Sequence, residues 1–98
     1  MARSNVLIKT KSLLTREELA DLLEELAAKI REGQATLSGA GGGVQLGLPE
    51  ALQVDVQVKD SAKPSKIKRE LEIEIEWVVD AEGNPVQEPG TPRGLTIS

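Results

Sequence analysis

Residues 69–77 read RELEIEIEW, four glutamates in step with four large apolar groups, closing on the chain's only aromatic residue. A period of two is the period of a strand: Glu70, Glu72, Glu74 and Glu76 take one face, and Leu71, Ile73, Ile75 and Trp77 take the other. The fold must therefore contain a sheet with one wet face and one face that something else covers. The same demand comes from ALQVDVQVKD, residues 51–60, where Leu52, Val54, Val56 and Val58 alternate with Gln53, Asp55, Gln57 and Lys59.

The cover is written just as plainly. In LLTREELADLLEELAAKIREG, Thr15 can cap a first helical turn, Glu18 stands three residues on to complete a capping box, and Leu14 can staple onto Leu19. Leu19, Leu22, Leu23, Leu26, Ala27 and Ile30 recur on one stripe at helical spacing, with the acids and bases elsewhere. Gly33 sits where a left-handed stop belongs. The spacing predicts a helix over residues 16–32.

The other segments read as strands and turns. NVLIKTK, residues 5–11, alternates Val6, Ile8 and Thr10 with Leu7, Lys9 and Lys11 and predicts a first strand. Ala35 and Leu37, then Val44, Leu46 and Leu48, flank the glycines of SGAGGGV as the arms of a hairpin. Pro49 ends its second arm, lacking an N–H for a ladder. SAKPSK is a polar turn or short loop, and the longest run follows it over residues 67–79. Beyond it, DAEGNPVQEPGTPRGLTIS is rich in proline and glycine, so a flexible tail is expected over residues 80–98 after a single domain at 4–79. The expected fold is α+β in two layers: strand, helix, then four strands, with one helix packed on a mainly antiparallel sheet of about five strands.

Composition excludes more than it assigns. With 98 residues the chain fits one domain, and with no cysteine and no histidine it lacks disulfides, thiolate nucleophiles and the usual nitrogen ligands and proton carriers. A formal charge of -4 gives no drive toward phosphate backbones, and one aromatic residue builds no base-stacking platform. Nucleic acid is therefore not an expected partner. The N-terminal stretch holds a three-residue apolar run at Val6, Leu7 and Ile8, too short for a signal-peptide core, and no run suits a membrane span. A cytoplasmic protein without cofactors is the expectation.

Taken in order, LADLLEELAAKIREG, LGLPEALQVDVQV and the closing ELEIEIEW resemble, over residues 6–77, the amphi-Trp domain family of bacteria and archaea. That resemblance implies a small α+β domain without an assigned activity, and it brings no catalytic motif to transfer. The chain departs from it mainly in the SAKPSKIKR insert and in its Pro/Gly tail.

Two features invite a functional reading. Gly39, Gly41, Gly42 and Gly43 resemble a phosphate-cradling loop, but Val44 stands where a dinucleotide fingerprint needs glycine, and no Gly-Lys-Ser/Thr or following helix is present. A hairpin turn is the expected role. The acidic row defines a candidate interaction face of Asp55, Glu70, Glu72, Glu74 and Glu76. Catalysis by such a row would need a carboxyl raised by burial, and calcium would need 6 to 8 converging oxygens; a straight exposed row supplies neither, and nearby lysines, Lys9, Lys11, Lys59, Lys66 or Lys68, suit it as cross-strand partners. The expectation is an interaction or assembly module that is not an enzyme, with another protein or a second copy of the chain as partner. Low-affinity binding of a cation or ligand at the acidic face is the alternative. Trp77, in phase with Leu71, Ile73 and Ile75, is expected in the core against the helix.

Overall fold

A computed structural model describes residues 4–98. It contains one helix, α1 (Arg16–Glu32), and four strands: β1 (Gln34–Gly39), β2 (Gly42–Gly47), β3 (Gln53–Lys63) and β4 (Lys66–Glu76). The strands make two antiparallel sheets of two strands each, β1 with β2 and β3 with β4. The chain is α+β as expected, but with four strands where five were expected, and with the helix first in order. It divides into two units, Met1–Leu48 and Pro49–Ser98.

In the first unit, α1 starts and stops where its end residues dictate. Thr15 is extended (φ −71°, ψ 164°) and its hydroxyl accepts the Glu18 N–H at 3.1 Å, while the Glu18 carboxylate accepts the Thr15 N–H at 3.0 Å. Two N–H groups without helical partners are thereby satisfied reciprocally. The two hydrogen bonds to Thr15, backbone first, hold Glu18 below the usual carboxylate range. Gly33 closes the helix at φ 82°, its N–H donating to the Ile30 carbonyl at 3.0 Å. A side chain there would meet nothing closer than the Leu48 carbonyl at 3.9 Å, so glycine is required by backbone conformation and not by space. Thr15→Ala is expected to lower stability by about 1 kcal/mol, read as a shift of the urea midpoint with unchanged slope.

Alpha-1 lies against β1. Leu26 and Ile30 are half-buried, and Ala35, opposite Leu46 in the β1–β2 ladder, is the one buried residue among those described in this unit. The glycines form the expected hairpin turn: Gly39 pairs with Gly42 across Ala40 and Gly41, and Gly42 takes φ 134°.

The strand expected at residues 5–11 does not form; none of these residues enters a ladder. Its side chains instead lie over Gly39, where an added Cβ would stand 2.8 Å from Thr10 Cγ2 and 3.6 Å from Ile8 Cδ1. The segment meets β1 by packing side chains onto a glycine, not by aligning its N–H and C=O groups with those of an edge.

In the second unit, β3 and β4 pair without interruption from Gln53↔Glu76 to Lys63↔Lys66, turning at Pro64 and Ser65. Residues 61–63, expected in a loop, are strand. Past β4 the chain turns back at Asp80, whose Oδ1 accepts the N–H of Glu82 (3.0 Å) and of Asn84 (2.9 Å). The Asn84 bond is the main cause holding the Asp80 carboxyl below its ordinary range. Val79 then bridges Pro85, Val86 N–H donates to the Val78 carbonyl, and the Gln87 side chain accepts the Glu50 N–H at 2.8 Å. Trp77 lies one residue past β4 and is half-buried, beside a small cavity of about 140 Å³ shared with Ala51, Val78 and Val86. Among the described residues, no helix is long and apolar enough to cross a membrane.

Candidate functional site

Pleating gives the β3–β4 hairpin two unlike faces. One carries the pairs Val54↔Ile75, Val56↔Ile73 and Val58↔Leu71; the other carries Gln53↔Glu76, Asp55↔Glu74, Gln57↔Glu72, Lys59↔Glu70, Ser61↔Lys68 and Lys63↔Lys66. The candidate residues Asp55, Glu70, Glu72, Glu74 and Glu76 thus share a face, and the register sorts them into two groups.

Glu70 and Glu72 are met by cations of their own hairpin, Lys68 Nζ at 3.5 Å from Glu70 and Lys59 Nζ at 3.4 Å from Glu72. Asp55, Glu74 and Glu76 converge instead, with a carboxylate oxygen from each within 4.8 Å of the others. The Gln53 amide donates to Asp55 (3.2 Å) and to Glu76 (3.3 Å). Glu74, by hydrogen bond and then by repulsion, pushes the Glu76 carboxyl above its usual range, with Asp55 adding to the effect. At the other end of the same face, Lys63 stands directly opposite Lys66 with Lys68 beside them. The face is acidic where the hairpin opens and basic where it turns.

Chemically, the three converging oxygens, one from each exposed carboxylate, are half or fewer of the 6 to 8 that a calcium ion takes. They also lack the desolvation that makes a carboxyl a useful acid at neutral pH. The triad is a strip of uncompensated negative charge. Its sign follows from linkage: a carboxyl raised in the fold loses stability as pH rises from the ordinary carboxylate range through the raised value. At high dilution Glu76→Gln is accordingly expected to stabilise the hairpin near pH 7 and to leave it unchanged below the carboxylate range, as followed by urea midpoints across pH. Asp60 has the opposite sign. Arg69 holds its carboxyl below the usual range through bonds of 2.7 and 2.9 Å, a contribution present above that range and lost on acidification.

Sequence reasoning missed both the Asp60–Arg69 pair, which lies in phase with the apolar side chains, and the separation of charge along the polar face. Both depend on which residue stands opposite which, a property of the turn.

The family model of the Amphi-Trp domain matches residues 1–98. The chain belongs to the Amphi-Trp domain family. A comparison with curated proteins gives no match, and neither does one with solved structures. In this Amphi-Trp domain the alternating acidic run is β4, and Trp77 stands just past the strand's end.

Proposed function

We propose that this Amphi-Trp domain is a non-catalytic assembly module whose apolar faces are covered by another protein chain. The observation that carries this reading is the exposure of those faces. Leu22 of α1 is 50% exposed, and on the hairpin Val58 and Leu71 are each 64% exposed. Exposed apolar side chains standing singly are ordinary, but here they are contiguous on regular elements.

Area supports the same reading. Two separate globular bodies of half this mass would together expose about 6,500 Å², whereas the chain exposes 9197 Å². The excess, about 2,700 Å², is more than the ~800 Å² per partner that a standard interface removes from water. A two-stranded hairpin alone is also marginal in water, and a partner on its dry face would supply the missing cover.

The test compares two baits, the chain itself and a Val58→Glu, Leu71→Glu variant. A protein held by the first and released by the second supports assembly through this face. Equal retention by both baits counts against it.

A further inference from the structure

We infer that the partner is a second copy of the chain, joined by antiparallel pairing of β4 with β4 across a two-fold axis near Leu71. The inference rests on the assembly reading above and adds a second copy and a register at the β4 edge; pairing in the plane of the sheet sets the two apolar faces side by side and does not itself cover them.

The β4 edge is open for pairing. It runs eleven residues without proline, and its register with β3 continues unbroken, so no bulge guards it. Among the described residues no third strand lies on either side of this hairpin. Near the start of β3, Thr91, Pro92 and Leu95 of the C-terminal segment line a groove of about 540 Å³ with the apolar side chains of Leu52, Val54 and Val56.

Charge chooses the register. With Leu71 opposite Leu71 of the second copy, Lys66 faces Glu76, Lys68 faces Glu74, and Ile67 faces Ile75. The acidic end of one hairpin meets the basic end of the other at both ends of the seam. Each hairpin alone leaves like charges adjacent at both ends, Asp55, Glu74 and Glu76 at its opening and Lys63 opposite Lys66 at its turn; like charges facing each other across strands are unfavourable, and the second copy relieves both. The central meeting of Glu70 with Glu72 is offset by Lys68 and Lys59, which already pair with them. Pairing by β3 offers less: with Lys59 on its axis, Asp55 facing Lys63 is the one opposite-charge pair. The two-fold axis turns the same face of both hairpins to one side, so the four-stranded sheet carries its apolar side chains on one continuous face.

The test uses the full chain and two charge reversals at exposed positions, one Lys66→Glu with Lys68→Glu, the other Glu74→Lys with Glu76→Lys. Circular dichroism confirms that each is folded. Alone, each variant places like charges along the seam, and its self-association is expected to weaken roughly tenfold or more. Mixed, both ends of the seam bring lysines of one variant against glutamates of the other, so native mass spectrometry is expected to show a one-to-one heterodimer. Wild-type dimers that both variants retain, or variants whose mixture gains no heterodimer, would overturn the β4 seam while leaving assembly through the apolar face standing. A wild-type chain that is monomeric at high micromolar concentration would overturn the second copy as partner, and the bait comparison would then decide the wider reading by itself.

Discussion

Ala35→Asp is expected to unfold residues 1–48, with loss of the helical circular-dichroism signal. Ala35 is 6% exposed, the one buried residue described in its unit, on the strand against which α1 lies. An ionised carboxylate there loses water, and Lys29, which lines the same groove, already pairs with Glu32 at 3.7 Å; an uncompensated buried charge costs about 3–5 kcal/mol. A core of this size yields only ~3 to 5 kcal/mol net, so the substitution removes the whole margin. Ala35→Gly, which removes a methyl without adding charge, is expected to lose about 1 kcal/mol or less and to keep the helix. An aspartate variant with the wild-type signal and midpoint would mean that this site is wet and that the first unit is held elsewhere.

The second large effect is a stability that depends on how much protein is present. If the apolar face of β3–β4 is covered only on association, folding is linked to mass action, and each tenfold rise in concentration adds about 1.4 kcal/mol to the apparent stability of a dimer. The Val58→Glu, Leu71→Glu variant keeps the turn and the polar face but charges the apolar one. Its unfolding midpoint is expected to be low and the same at every concentration, while that of the wild type climbs. Parallel, concentration-independent curves for both would place the energy of the hairpin within one chain.

Local signals made α1 legible from its residues alone. Thr15, Glu18 and Gly33 act within one turn of the helix ends, so the bonds they make follow from their spacing. The glycine hairpin was legible for the same reason. Residues 5–11 have a strand's alternation as well, but alternation states only that one face is dry, and pairing needs an edge at the right distance. Thr10 and Ile8 lie close over Gly39 of β1, and the segment stays outside any ladder.

The acidic face was legible in part. Period two puts Asp55, Glu70, Glu72, Glu74 and Glu76 on one side, yet says nothing of what stands opposite. That is fixed by the tight turn at Pro64 and Ser65, which draws residues 61–63 into β3 and sets Asp55 against Glu74 and Gln53 against Glu76. From this register come the acidic triad, the basic turn and the Asp60–Arg69 pair. Trp77 was expected in the core; past the end of β4 it is half-buried, and Trp77→Ala should cost less than the ~3–5 kcal/mol of a fully enclosed tryptophan.

Sedimentation equilibrium of the purified full chain, from sub-micromolar to high micromolar concentration, tests most directly the claim that the partner of this chain is a second copy of itself. The weight-average mass is predicted to rise from one chain toward two, and to stay at one chain for the Val58→Glu, Leu71→Glu variant. A folded wild-type chain that keeps the mass of a single copy across the whole range would contradict it.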